Sequence, residues 1–336
     1  MITIKDIANL AGVSVGTVSN VINGTKNVSS TKRQLVEQAI QQLNYVPNSI
    51  ARTLKTKVSK TIGLIVPDIS NPFYSELAKG VEDHLNEYGY ALFVCNKYRT
   101  AEKERQYLDS LVEKNSDGII VVKPMLEQED LERYGKRCNL ILIDTDLSPN
   151  DYFGVINVDD DASAYQLTEL IYNMNHRKIA YFYGAQGARS DSQRFNGYKK
   201  CMEEHGIFSQ DLVYDCGSYD IQGGYYMANE MFGQGNFPTA VFASNDMIAI
   251  GVIQSAFDHG LQIPQDISVV GCDDISISAC LRPTLTTISR PKYQMGAVSA
   301  QLITDSLLKQ KPFYFKEMLL TSNLMVRQSL GPPKIK

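Results

Sequence analysis

None of the six cysteines forms a C-x-x-C pair; Cys95, Cys138, Cys201, Cys216, Cys272 and Cys280 are scattered along 336 residues. That spacing argues against a disulfide framework or a zinc site and fits reduced, mostly buried thiols. No stretch approaches the ~18–20 apolar residues of a membrane span. The amino terminus MITIKDIANLAG lacks the basic-then-apolar order of an export signal. The cytoplasm is the expected compartment, with no membrane partner. Beyond residue 60 there is no G-x-S-x-G elbow, P-loop or H-E-x-x-H, and GAQGAR does not fit a phosphate-loop spacing. Four histidines (His84, His176, His205, His259) are dispersed, each in or at the end of a helical pattern, so solvent-facing or capping roles are expected. No catalytic residue, metal site or cofactor is assigned, and an enzyme is not the expected class. The tail LGPPKIK carries no leucine heptad, which favours a dimer over a tetramer.

What the chain does have is segregated charge. Residues 1–60 hold eight Lys or Arg against Asp6 and Glu37, a net +6, while the whole chain is −4, so the remainder carries −10. A small cationic head on an anionic body suits a polyanion-binding module joined to something that should not bind polyanions. In the head, Ile4, Ile7, Ala8 and Ala11 make one apolar face of a short helix, with Thr3 as cap and Asp6 in the first turn. Gly12 permits a turn, and Ser14 caps a second helix whose inward face is Val18, Val21 and Ile22. Gly16, Asn20 and Asn23 fall on the opposite face. Val15 lies at the core edge, open to packing or to base contact. A third helix, STKRQLVEQAIQQL, is expected to be buried through Leu35, Val36, Ala39, Ile40 and Leu43. Three helices with a bare, polar second one form a helix-turn-helix pattern. Asn20 suits a base edge, Val15 a thymine methyl, and Ser14, Thr17 and nearby amides suit phosphate. The alternative is a three-helix protein-binding domain with an incidentally polar face.

The connecting segment NYVPNSIARTLKTKVSK places Pro47 at a helix start and Ile50, Ala51 and Leu54 in a short apolar stripe among Arg52, Lys55 and Lys57. A helix of about ten residues is marginal alone. It should form only against a copy of itself or on DNA, where Leu54 resembles the wedges that open a minor-groove step. Alone, the segment would read as a flexible linker.

In the body, TIGLIVP, ALFVCN, DGIIVV, NLILIDTD, KIAYFYG, TAVFASND and ISVVGCDD read as buried strands, with helical patterns such as YSELAKGVEDHLNEYG and ERQYLDSLVEKN between them. This alternation predicts parallel sheets covered on both faces, with ligands beyond the carboxyl ends of the strands. Polar and aromatic residues gather there: Phe73, Tyr74, Asp144, Asp146, Ser190, Arg194, Asn245, Asp246, Asp273 and Asp274, with Tyr219 after a DCGS strand. Aromatic faces beside Asp, Asn and Arg suit a sugar-type ligand. Some of these residues could instead be helix caps, Asn245 and Asp246 among them.

The runs T-I-K-D-I-A-x-x-A-G-V-S-x-x-T-V-S-x-V-I-N and Y-x-P-N-x-x-A-R-x-L-K resemble the LacI/GalR family of bacterial transcriptional repressors. So do IGLIVPDISNPFYSEL, DGIIVV, RFNGY, PTAVFASNDMIAIG, IPQDISVVGCDD and RPTLTTISRP, in order along nearly all of the chain. The resemblance implies an α/β protein. A three-helix helix-turn-helix head (1–46) and hinge helix with linker (47–60) would precede a periplasmic-binding-protein-like body (61–336). That body would comprise two doubly wound parallel-sheet subdomains, one about 61–160 with 291–321, the other about 161–290 with 322–330. The implied protein is a homodimer on a near-palindromic double-stranded operator, controlled by a small-molecule effector. Each hinge helix would insert Leu54 into the minor groove. The candidate DNA contacts are Thr3, Ser14, Val15, Gly16, Thr17, Asn20, Asn23, Arg52, Leu54 and Lys55. Tyr74, Ser190, Arg194, Tyr219, Asn245 and Asp273 match effector positions of the family and, with Phe73, form the candidate effector site; Asp144, Asp246 and Asp274 are read as structural. The sequence departs from the family at Cys272, where an aromatic is frequent, and at Arg290, commonly Gln. Lys123 and Arg189 add two further cations. If two or more of these cations face the cleft, an anionic sugar derivative is expected. Alternatives are a nucleobase or nucleoside effector, a protein co-repressor, or a solute-binding protein.

Overall fold

The computed structural model describes residues 2–22, 28–45, 58–184, 189–235, 237–309 and 317–334. The chain forms two compact units, Met1–Ser59 and Lys60–Lys336.

The first unit holds α1 (Ile4–Ala11), α2 (Val15–Ile22) and α3 (Ser30–Gln42). Its core is Ile7, Ala8, Ala11, Val18, Val21, Val36 and Ala39. Gly12 closes α1 at φ 66°, a left-handed geometry that glycine adopts without steric cost, so the chain can reverse into α2 within a few residues. Leu35, expected inside, is 44% exposed. The buried stripe of α3 runs Val36, Ala39, Ile40, Leu43 in steps of three and four, and Leu35 stands beside it. Val15 is 42% exposed, which places it on the open side of α2. Asn23 and the expected hinge helix, with Arg52, Leu54 and Lys55, lie outside the described residues.

The second unit is built on two six-stranded sheets. Sheet A is ordered β11-β5-β4-β3-β1-β2, from β1 (Thr61–Val66), β2 (Ala91–Asn96), β3 (Gly118–Val122), β4 (Asn139–Ile143), β5 (Phe153–Val158) and β11 (Glu317–Leu320). Every pair in it is parallel. Sheet B is ordered β12-β10-β9-β8-β6-β7, from β6 (Ile179–Tyr183), β7 (Val213–Asp215), β8 (Ala240–Ala243), β9 (Ser268–Cys272), β10 (Thr286–Ser289) and β12 (Asn323–Met325). Only β12 runs antiparallel, against β10. The inner strands of each sheet are covered on both faces, which is why they read as continuous apolar runs; ALFVCN, expected buried, is instead the edge strand β2 with Phe93 and Val94 exposed. In β1, Leu64 packs toward α4 (Pro72–Asn86) and α11 (Lys292–Lys309), while the next residue, Ile65, faces α5 (Ala101–Glu113) and α6 (Gln128–Gly135). In β6, Phe182 joins α9 (Ile221–Gly233) and α10 (Asp246–Asp258), while Tyr181 joins α7 (Asp160–Asn173) and α8 (Arg189–Glu204). The chain passes between sheets after β5, after β10 and between β11 and β12.

The strand expected at DCGS lies earlier, at Val213–Asp215. His176, expected at the surface or as a cap, is fully buried. Its Nε2–H donates to the Gly331 carbonyl at 2.8 Å, which leaves Nδ1 to accept from the Thr239 hydroxyl at 2.9 Å. The ring pins the carboxyl-terminal segment to sheet B.

Candidate functional site

In the first unit, Ser14 caps α2: its Oγ accepts from the Thr17 amide at 3.2 Å and lies 3.0 Å from the Thr17 hydroxyl. Thr3 is engaged with Asp6, donating from its amide at 2.7 Å and its hydroxyl at 2.8 Å. Those bonds hold the exposed Asp6 carboxyl below its usual range. Val15, Gly16 and Asn20 are exposed together, while Val18 and Val21 of the same helix are buried. The unit thus presents one capped helix, bare on a side that carries no acidic residue.

In the second unit, the carboxyl ends of both sheets meet at a cavity of about 380 Å³. Sheet A supplies Arg99, Lys123 and Asp144, each just beyond a strand; sheet B supplies Arg189 and Tyr219. The backbone here is unusual. Tyr98, Arg99, Lys123, Asp144, Asp273 and Asp274 all have φ between 50° and 118° without being glycine. Such conformations cost ~1–3 kcal/mol each and collect at ligand sites.

Several interactions cross from one sheet's loops to the other's. The Ser190 amide donates to Asp144 Oδ1 at 3.0 Å. Lys123 Nζ lies 3.6 Å from Asp144 Oδ2 and 3.4 Å from Asp191 Oδ2. The Tyr219 hydroxyl donates to Asp191. Arg189 reaches the Val158 carbonyl at 3.0 Å and Asp146 at 3.6 Å. The Arg99 guanidinium sits 4.0 Å from the Tyr219 ring centroid. That ring lies against Gly184, where any Cβ would come within 2.5 Å of it. Deeper, Asp160 pairs with both Arg194 (3.1 Å) and Arg290 (2.9 Å), and Arg194 also reaches the Ser244 carbonyl and Asp273 (3.5 Å).

Burial opposes ionisation of Asp144, but Lys123 and Arg290 overcome it and hold its pKa at about 2. Burial likewise opposes the charge on Lys123, and Asp191 and Asp144 raise its pKa above the ordinary value. Asp273 is raised by burial despite Arg194. Asp246 is pushed up to about 7 by burial and by Asp273, against three hydrogen bonds from Ile275, Ser278 and Thr287. Among the described residues, four buried polar atoms around the cavity have no hydrogen-bond partner: Asp144 Oδ2, Ser190 Oγ, Asp191 Oδ1 and Arg290 Nε.

Of the seven effector candidates, Tyr219 lines the cavity. Ser190 is fully buried and tied to Asp144. Arg194 and Asp273 belong to the deeper ion-pair network. Phe73 and Tyr74 are buried in an edge-on pair, 5.1 Å below Arg290 in the case of Phe73. Asn245 is a helix cap: its Oδ1 accepts from Ile248 at 2.8 Å and its Nδ2 donates to the Tyr219 carbonyl at 3.0 Å. Asp246 and Asp274 have the structural roles expected, the latter pairing with Arg327 at 2.7 Å. Asp144 does not: it walls the cavity as well as bracing it. Lys123 and Arg189 do face the cavity, yet each faces carboxylates too. Asp160, Asp191 and Arg99 were missed. In the run VDDDAS, only the start of α7 decides which aspartate turns inward, and nothing local separates Asp191 from an ordinary first-turn acid.

Residues 59–313 match the family model described as periplasmic binding proteins and sugar binding domain of LacI family. Residues 3–48 match the one described as bacterial regulatory proteins, lacI family. The HTH-type transcriptional repressor PurR of Pasteurella multocida is 36% identical over 309 residues, 91% of this chain and 92% of that protein. The ribose operon repressor of Halalkalibacterium halodurans is 35% identical over 329 residues, 98% of this chain and 97% of that protein. The crystal structure of the Lac repressor dimer bound to operator and the anti-inducer ONPF superposes with a TM-score of 0.84 at 26% identity, covering 98% of each chain.

Proposed function

The chain belongs to the lacI family of bacterial regulatory proteins, and from that premise we propose a transcriptional repressor, without enzymatic activity, that works in the cytoplasm as a homodimer on a near-palindromic DNA operator. Residues 1–46 form the DNA-binding head, 47–60 the hinge and 61–336 the effector-binding and dimerisation body. α2 enters the major groove with Asn20 on a base edge and Val15 and Gly16 against the bases. Thr3, Ser14 and Thr17 face the phosphates, and Asn23, Arg52, Leu54 and Lys55 complete the contact set. The observation that carries this reading is the face of α2 on which Val15, Gly16 and Asn20 are exposed, while Val18 and Val21 of the same helix lie in the core.

The effector is a sugar or sugar derivative, taken up where the two sheets' strand ends meet. The partnerless buried atoms of Asp144, Ser190 and Asp191 are suited to hydroxyls, which both donate and accept. Tyr219, Phe73, Tyr74, Arg194, Asn245 and Asp273 shape and brace that site. Edge strand β2 leaves Phe93 (50%) and Val94 (39%) exposed and suits burial against a second copy. The effector alters operator affinity only by the difference in its own affinity for the two arrangements of the sheets.

Selection from randomised duplexes at moderate salt, with and without sugars, tests the reading. A palindromic consensus should emerge, and Asn20→Ala should change that consensus while leaving non-specific binding intact. Selection of no consensus, or of the same one by Asn20→Ala, would refute it.

A further inference from the structure

We propose that Asp191 is the charge filter of the effector cleft: together with Asp144 it cancels the Lys123 cation, so that the site rejects anionic ligands and selects uncharged, hydroxyl-rich ones. The inference rests on the effector reading above and narrows its ligand class.

Lys123 stands on the cavity wall with 13% of its side chain exposed, while Lys97, deeper in the same wall, is already paired with Glu104. In an apolar surround, a lysine there would recruit a carboxylate or phosphate from the ligand. Its ammonium is already shared between two carboxylates, at 3.4 Å and 3.6 Å, one from each side of the cleft. Arg189 has Asp146, and Arg194 and Arg290 have Asp160. The Arg99 guanidinium rests on the Tyr219 ring, whose hydroxyl leads back to Asp191. The partnerless buried atoms tell the same story. Asp144 Oδ2 and Asp191 Oδ1 can only accept from a ligand, and Ser190 Oγ can do either; Arg290 Nε is the single obligate donor. An incoming anion would meet two carboxylates within reach of the one cation it needs, whereas a sugar hydroxyl would donate to those same oxygens. Neither Lys–Asp distance is that of a tight charge-assisted bond, which spans ~2.7–2.9 Å. Lys123 is thus neutralised without being locked, and the charge balance of the cleft is set by Asp191.

The test is calorimetric titration of the full chain with inorganic phosphate, and with glucose and glucose 6-phosphate as a matched pair. Wild-type protein should show no phosphate binding in the millimolar range. Asp191→Asn, isosteric but uncharged, should acquire it and should shift the preference between the paired sugars toward the phosphorylated one by at least about tenfold. Lys123→Gln in the Asp191→Asn background should abolish the acquired phosphate binding. A cleft merely loosened by the substitution would not respond to that second change. Phosphate binding by wild-type protein, or none by Asp191→Asn, overturns the proposal. If the phosphate results hold but no neutral sugar from a wider panel binds, the filter stands and the sugar reading falls.

Discussion

Glu104 offers a direct test of how the cavity wall is held. It is fully buried on α5 and accepts from the Lys97 ammonium and from the amides of Met125 (2.9 Å) and Leu126 (3.1 Å). Lys97 in turn donates to the Lys123 carbonyl. One ion pair therefore braces the loop that lines the cavity from Lys123 to Gln128. Glu104→Gln keeps the shape and removes the charge. Lys97, whose pKa burial lowers and Glu104 raises, must then stay charged without a partner or surrender its proton. From an ordinary pKa of ~10.4, surrender at pH 7 costs at most about 4.6 kcal/mol. Breaking buried pairs costs ~3–5 kcal/mol, so a loss of about 3–4 kcal/mol is expected at pH 7. The sign of the pH dependence follows. In the variant Lys97 has a depressed folded pKa, so the folded state binds fewer protons than the unfolded chain and stability rises with pH. Between pH 7 and pH 9 the ceiling on the penalty drops by about 2.7 kcal/mol, and the gap to wild type should narrow. Urea denaturation at both pH values, followed by circular dichroism, reads this out. A loss under ~1 kcal/mol at pH 7, or a gap that does not narrow, would refute the reasoning. Replacing the pair by Lys97→Met with Glu104→Leu should recover most of the loss, because no charge is then left stranded.

Ser14→Ala should remove the cap of α2 at a cost of about 1 kcal/mol, seen as roughly fivefold faster hydrogen exchange at the Thr17 and Val18 amides; unchanged protection would show that the cap is idle. Gly184→Ala should push the Tyr219 ring off its seat and weaken sugar binding about tenfold, whereas calorimetry giving the wild-type affinity would remove Tyr219 from the site wall. His176 has its pKa lowered by burial, so the folded state resists protonation and stability should fall as pH drops below ~6.5. Melting temperatures between pH 7.5 and 5 should decline less in His176→Gln than in wild type; identical slopes would exclude His176 as the titrating group.

Seven strands were legible as apolar runs, six of them because parallel strands buried on both faces leave no polar alternation to confuse the reading; the seventh, β2, is apolar yet lies largely exposed at the sheet edge. Those missed are instructive. FGVINV at β5 follows a proline- and aspartate-rich turn and carries Asn157, which satisfies its own buried amide by bonding Thr145 and Glu317. β11 and β12 are edge strands of four and three residues, mostly apolar but too short for a run to stand out from its surroundings. In the head, the three-four spacing gave all three helices and most of the core, and it erred at Leu35 because one apolar residue beside a stripe looks the same as one within it.

The cleft divides differently. Parallel strand direction and the end of the sheets where the candidate site lies follow from the alternation of strand and helix, and the cationic head from composition; the linear chain alone determined these. Which side chains meet there was decided by the three passages between sheets, which bring residues 99, 123 and 144 against 189–191 and 219. An aspartate that braces neighbouring loops and one that cancels a lysine across a cleft share one local pattern. What separates Asp246 from Asp144 and Asp191 is the identity of their partners, and those lie about 20 to 70 residues away, beyond the reach of any periodicity.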